Sequence, residues 1–182
     1  MGYIKRSMED VFLRLNEEYP AVLLTGPRQV GKTTMLQNLI AVEARNRNYV
    51  SLDDLNERTL AKSDPAMFFQ LHQPPVLIDE IQYAPELFTY IKIHVDKYQR
   101  AGDVWMTGSQ LLDGVRESLA GRVALLHLSP LSQQEIYGHP FGAFCLDMTA
   151  LSERQRVVEP VSVSDVFQRL FLGGMPALVS KK

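Results

Sequence analysis

The 182-residue sequence contains one cysteine, Cys145, which excludes an internal disulfide and suits a reducing compartment. No apolar run approaches the roughly 20 residues that a membrane-spanning helix needs. The N-terminal stretch MGYIKRSMED lacks the apolar segment of a signal peptide. These absences lead us to expect a cytoplasmic protein with no membrane partner. The formal net charge is only −2, so there is no strong electrostatic case for nucleic acid or an anionic surface, although a local basic patch escapes a whole-chain sum. His72, His94, His127 and His139 never fall with cysteines or acids at ligand spacing, which argues against a zinc-type site. Internal repeats and low-complexity segments are also missing. What remains is an ordinary globular composition, 46% hydrophobic and 22% charged, long enough for one domain with a sizeable core.

One stretch organises the rest. Ala21–Leu24 is a short apolar run that reads as a buried strand, broken at Gly26-Pro27. Gly31-Lys32-Thr33-Thr34 then opens a helical pattern with Met35, Leu36, Leu39 and Ile40 on one side. Residues 26–33 match G-x-x-x-x-G-K-[ST], the Walker A phosphate loop, in the strand–loop–helix context it requires. Gly26 and Gly31 let the backbone curl so that successive N–H groups point at phosphate oxygens. The helix beginning near Lys32 adds its positive end. The expected cofactor-binding residues are Gly26, Pro27, Arg28, Gln29, Val30, Gly31, Lys32, Thr33 and Thr34. Lys32 would reach the β- and γ-phosphates, and the Thr33 hydroxyl would ligate Mg²⁺. The bland alternative is a Gly-Pro turn before an ordinary helix, and the agreement of motif with context weighs against it.

Pro75–Gln82, PVLIDEIQ, carries the second signal. Val76-Leu77-Ile78 is a continuous apolar run, as in a parallel strand buried on both faces, and Asp79 and Glu80 follow at once. Acids at the carboxyl end of a central strand sit at the crevice where α/β sheets bind ligands. This is the Walker B pattern: Asp79 would hold Mg²⁺ directly or through water. Glu80 would orient and deprotonate the attacking water. Apolar residues before Asp-Glu are common by themselves, and a phosphate loop one βαβ unit upstream gives them weight. The alternative for Glu80 is a solvated acid at a helix start.

The remaining chain fills in around these motifs. Ser7–Tyr19 predicts an amphipathic helix with Val11, Phe12, Leu15 and Tyr19 on one face and Ser7 with Asp10 as a capping box. Tyr3, Ile4 and Arg6 are candidates to touch an adenine, with surface packing as the plainer role. Tyr49–Leu52 is a second strand, and Asp53-Asp54 reads as a strand-end turn and helix cap in preference to a metal pair. Asp64-Pro65 starts a short helix whose Met67, Phe68, Phe69 and Leu71 are expected in the core. Leu87, Phe88, Ile91, Val95 and Tyr98 recur at helical spacing between Pro85 and Arg100, leaving His94 a structural residue. Asp103–Gln110 is a fourth strand running into Thr107-Gly108-Ser109; in P-loop enzymes with an extra strand between Walker A and Walker B, which this arrangement resembles, a polar residue here faces the γ-phosphate and the attacking water. Ser109 is the first candidate and Thr107 the second, with a helix N-cap as a competing role for Ser109.

A helix over 111–120, Gly121 as its cap and a fifth strand over Val123–Leu128 bracket Arg122. That arginine can point out of the subunit to a neighbour's γ-phosphate as an arginine finger. Its competing role is a surface pair with Glu117 or a helix-end carbonyl. Arg116 is a weaker finger candidate. Past Ser129–Ser132 and a short helix near Gln133–Ile136 the periodicity weakens. Ser164–Leu172 resembles one more capped helix before Gly173-Gly174. The expected organisation is an ATPase core at 1–140 and, at 141–182, a connector with the start of a lid or C-terminal region.

Five strands with helices between them point to a P-loop α/β sheet. The ordered motifs resemble AAA+ ATPases, and more narrowly the prokaryotic AAA-type ATPases that carry an uncharacterised C-terminal domain. The carrying residues are Gly26–Thr34, Leu77–Gln82 with Ala84-Pro85, Thr107–Gln110, Glu117–Arg122, Leu128–Ser132 and Gly173–Pro176. The resemblance spans essentially the whole chain. It implies a three-layer sandwich around a five-stranded parallel sheet of order 5-1-4-3-2, with ATP and Mg²⁺ as ligands. It also implies Glu80 as catalytic acidic residue beside Lys32, Ser109 as sensor and Arg122 as candidate finger. No arginine among Arg154, Arg156 and Arg169 is singled out as a second sensor. Family members look about twice this long, so the chain is expected to be their ATPase module, with a DNA or protein partner engaged through a C-terminal half and a homo-oligomer if the finger is shared.

Two functions follow. One is ATP hydrolysis by a motor or switch module. The other is a nucleotide-gated module that binds DNA or protein with negligible turnover. Glu80 favours the first. No Asn-Lys-x-Asp motif supports a GTPase, and Glu80 beside Asp79 suits water activation better than transfer to a small molecule.

Overall fold

Each of the five apolar runs becomes a strand of one sheet. The structure is a computed structural model that describes residues 2–42, 46–109, 119–138, 146–156 and 161–179. The strands are β1 (Ala21–Thr25), β2 (Asn48–Ser51), β3 (Val76–Asp79), β4 (Val104–Gly108) and β5 (Val123–His127). All pairings are parallel, in the order β2-β3-β4-β1-β5, which is the expected 5-1-4-3-2 read from the other edge. Leu23 of β1 lies beside Met106 of β4 and Leu125 of β5. Every residue of β1, β3 and β4 is buried, while the edge strands β2 and β5 are partly exposed. A parallel sheet covered on both faces requires this pattern.

Side chains alternate between the two faces, and each face has its own helices. These are α1 (Met8–Glu18), α2 (Lys32–Val42), α3 (Leu55–Ser63), α4 (Pro65–Leu71) and α5 (Leu87–Tyr98). On one face Val22, Leu24, Leu77 and Trp105 pack with Phe12 of α1 and Met35, Leu36 and Leu39 of α2. On the other, Leu23, Ile78 and Met106 pack with Ala61, Phe68, Leu87, Ile91 and Val95 of α3, α4 and α5. The result is the expected three layers. Trp105 is wholly buried: Phe12 meets it edge-on at 4.8 Å, its indole N–H donates to Asn16 Oδ1, and the Arg47 guanidinium lies 3.7 Å over the ring.

Several local expectations change. Ser7 has helical backbone angles and no side-chain cap bond, so the Ser7–Asp10 capping box does not form; the Glu9 carboxylate instead accepts from the Arg6 N–H at 2.6 Å. Phe68 is fully buried, but Met67 and Leu71 are 45% and 64% exposed, because the seven-residue α4 turns only one ridge inward. Tyr98, at the end of α5, is likewise exposed. Asp54 caps α3, accepting from Asn56 N and Glu57 N, and Asp64 caps α4 through Met67 N. His94 is structural, bonded to Asp103 at 2.9 Å. Most of the helix expected over 111–120, with Arg116 and Glu117, lies outside the described residues, as does His139.

The chain divides into two compact units. Residues 6–129 form the sheet unit. The other combines the chain up to Lys5 with everything from Pro130 onward. The latter holds α6 (Gln133–Tyr137), α7 (Met148–Arg156), α8 (Val163–Leu172) and α9 (Pro176–Val179). Ser132 and Glu135 make a capping box on α6, and Ser162 caps α8. Leu131 N donates to Gly174 O at 2.7 Å, so two motifs far apart in sequence meet through their backbones. A β-carbon on Gly174 would lie 2.3 Å from Leu131 O, which only glycine avoids. Among the described residues no helix is long and apolar enough to cross a membrane.

Candidate nucleotide-binding site

The loop at residues 26–31 leaves the carboxyl end of β1 and turns into α2. Gly26 has φ +143°, and a β-carbon there would come within 2.3 Å of Leu128 O in the chain leaving β5. Gly31 and Gln29 also take positive φ, 96° and 62°. Gly31 does so without penalty, whereas Gln29 carries local strain of the kind found at ligand loops. Pro27, Arg28 and Gln29 are exposed, while Val30 is buried against the layer formed by α1 and α2. Arg6 fastens the loop from behind. It is buried, and its guanidinium donates to Val30 O at 2.9 Å and Ser129 O at 2.6 Å. It is therefore part of the loop's support, not a surface residue.

Lys32, the first residue of α2, is buried and turns back on its own loop. Its Nζ donates to Gly26 O and Pro27 O, each at 3.0 Å. Burial holds its ammonium below the usual lysine pKa of 10.5, helped by nearby Arg28 and opposed by the charges of Glu80 and Asp79. Thr33 donates to Asp79 Oδ1 at 2.8 Å, which closes the gap between the loop and the end of β3. Thr34 faces solvent.

The end of β3 is held by β4 and β2. The Thr107 hydroxyl donates to Asp79 Oδ1 and accepts from Glu80 N at 3.0 Å. Tyr49 of β2 donates to Asp79 Oδ2 at 3.3 Å; burial, then the Asp79 charge, raises its phenol pKa. Glu80 sits at φ 57°, a left-handed turn that opens the 3₁₀ turn Ile81–Tyr83. Gln82 in that turn donates through Nε2 to Glu80 Oε2 and to Ser109 Oγ, the latter at 3.1 Å. Arg122 is on the surface, bidentate to Asp96 and bonded to Ala120 O at 3.3 Å. The Asp96 hydrogen bond raises the arginine's pKa and lowers that of the acid.

Of the sequence-derived candidates, Lys32, Thr33, Asp79, Glu80 and both hydroxyls, Thr107 and Ser109, therefore gather at the carboxyl ends of β1, β3 and β4. Arg122 does not join them within the chain. Three contributors escaped the sequence reading: Tyr49, Gln82 and the loop-supporting role of Arg6. Only Gln82 had a local signal, two residues beyond Glu80. The oxygen set suits a hard cation held jointly with phosphates. Neighbouring ligands of an octahedral Mg²⁺ at about 2.1 Å lie about 3.0 Å apart, close to the 2.8 Å between Thr33 Oγ1 and Asp79 Oδ1. Among the described residues no group of three His, Cys, Asp or Glu side chains could hold an ion alone, so further ligands would come from water and phosphate.

Comparison with protein families matches residues 18–137 to the AAA domain. The chain belongs to the AAA domain family. This AAA module is 37% identical over 120 residues to two uncharacterised proteins, one of Mycobacterium bovis and one of Mycobacterium tuberculosis. Those matches take in 64% of this chain but only 26% of each relative, so the chain spans about a quarter of their length. Among solved structures, the AAA module resembles a Walker-type ATPase of Pyrococcus abyssi, with a TM-score of 0.61 at 16% identity over 97% of this chain and 66% of the other. It also resembles the AMPPCP-bound DnaA of Aquifex aeolicus, with a TM-score of 0.55 at 12% identity over 96% and 57%. These likenesses establish the fold of a P-loop ATPase, and with the family they make the chain a nucleotide-binding, ATPase-like module.

Proposed function

We propose that the AAA module binds ATP with Mg²⁺ and hydrolyses it to ADP and phosphate. The observation that carries this reading is the Thr33–Asp79 contact at 2.8 Å, which joins the phosphate loop to a strand end bearing a second acid, Glu80. Residues 26–34 would cradle the β- and γ-phosphates with backbone N–H groups and the positive end of α2. Lys32 would exchange Gly26 O and Pro27 O for phosphate oxygens and neutralise charge that grows in the transition state. Thr33 and Asp79 would hold Mg²⁺, which supplies charge neutralisation and alignment of the phosphates when bound. Glu80 would accept a proton from water as its oxygen bonds to the γ-phosphorus and the bond to the bridging oxygen of ADP breaks. Ser109 would contact the γ-phosphate as sensor. Arg122 would act on a neighbour's phosphate after giving up Asp96, an exposed and therefore cheaply exchanged partner.

The test is Mg²⁺-dependent phosphate release and ATP binding by wild type, Lys32→Ala and Glu80→Gln. Lys32→Ala is expected to lose binding, and Glu80→Gln to bind ATP without turning it over. A wild type that binds ATP yet hydrolyses it no faster than Glu80→Gln would make the chain a nucleotide-gated binding module for DNA or protein.

A further inference from the structure

The residue two beyond the proposed base has no role in the scheme above, yet its side chain bonds directly to that base and to Ser109. Gln82 stands on a stiff support. Ile81 is fully buried in the core beside it, Tyr83 N and Ala84 N close the turn onto Glu80 O and Ile81 O at 3.1 Å each, and the Arg58 guanidinium lies 3.9 Å over the Tyr83 ring. The left-handed backbone of Glu80 bends the chain so that side chains two residues apart meet. The Gln82 amide nitrogen then donates to the Glu80 carboxylate and to the Ser109 hydroxyl. An amide nitrogen has two hydrogens, and both are used, tying the end of β3 to the end of β4. The reverse amide orientation would set a carbonyl oxygen against a carboxylate, so the bonding fixes which end faces Glu80. The amide oxygen, Oε1, is buried and meets no donor among the described residues.

We propose that Gln82 is a positioning residue for Glu80: its amide nitrogen holds the carboxylate in place and ties it to the Ser109 hydroxyl. This rests on the ATPase reading. A base must lie within hydrogen-bond reach of the proton it takes, and a carboxylate free to swivel on its own side chain spends time out of reach. Gln82 also makes the base answer to the γ-phosphate, because Ser109, the expected sensor, shares its amide. Losing the amide therefore lowers the rate of the chemical step and leaves nucleotide binding alone, since Gln82 bonds to no residue of the phosphate loop.

The experiment measures kcat, KM and the Kd of a fluorescent ATP analogue for Gln82→Leu and Gln82→Asn, each alone and combined with Glu80→Gln. Unfolding followed by Trp105 fluorescence shows that each variant folds. Leucine keeps the volume and removes the amide; asparagine keeps the amide but is one methylene too short. Both are expected to lose about 10²-fold in kcat, the scale of a misplaced catalytic group, with KM and Kd within about twofold. In the Glu80→Gln background the same changes should alter the residual rate less than about threefold, because there is no base left to position. Near-wild-type kcat for Gln82→Leu overturns the proposal, as does a loss that persists in full without Glu80, or a matching loss of ATP binding. In those cases wild type still outpaces Glu80→Gln. If it does not, the ATPase reading fails as well, and the two failures are told apart by that comparison alone.

Discussion

Lys32 spends two of its three N–H donors on carbonyls of its own loop, so on the proposed reading ATP binding would exchange those two bonds for phosphate contacts. Burial already holds the lysine below its ordinary 10.5, and a triphosphate beside it would draw the value back up. Between the two values binding takes up a proton, so affinity is full below the lowered value and falls as pH rises through it. The Kd for ATP should thus weaken as pH rises toward 10.5, while Lys32→Arg, which stays charged, should lose that dependence. Isothermal titration across this range checks it; equal slopes for both proteins would assign the effect to another group. The residues legible in the sequence were those whose chemistry lies in one short stretch, such as Gly31-Lys32-Thr33 and Asp79-Glu80. Tyr49 and Arg6 were not legible in these roles because their partners are remote: Tyr49 meets Asp79 30 positions away, and Arg6 meets Val30 and Ser129 across 24 and 123.

At the scale of elements, strand and helix existence was readable because burial on both faces leaves continuous apolar runs and burial on one face leaves a helical stripe. Ends and short helices were harder. Ser7 fails as a cap because the helical conformation already includes it, and α4 is too short for its apolar residues to share one buried face. Phe12 shows what a well-read stripe contributes. It is fully buried and meets Trp105 edge-on, so Phe12→Ala should lower unfolding stability by about 3–5 kcal/mol. Leu13, 38% exposed on the same helix, should change it by less than about 0.5 kcal/mol when replaced by Ala. Urea unfolding followed through Trp105, the chain's single tryptophan, measures both. Near-equal losses would mean that α1 is not held by the packing described.

For the whole molecule, the sheet order was legible through the family resemblance, whereas the division at residues 5/6 and 129/130 was not, because no shift in composition marks either crossing. Arg122 raises a question that only assembly can answer. Its guanidinium is occupied by Asp96 at the surface, where a neighbour's phosphate could compete for it. If neighbours share a site, phosphate release per molecule should rise with protein concentration, and Arg122→Ala should abolish the rise. Asp96→Ala, which frees the arginine without deleting it, should keep the rise. A rate per molecule that stays constant with dilution would leave Arg122 a surface residue.

Arg6 begins the sheet unit at one crossing and grips Ser129, its last residue, at the other, while the same guanidinium holds the back of the phosphate loop at Val30. The first and last residues of the sheet unit and the loop that would receive the phosphates are therefore joined through one side chain. By thermodynamic reciprocity, whatever a filled loop does to that knot, a pull on the knot must do to the filling of the loop.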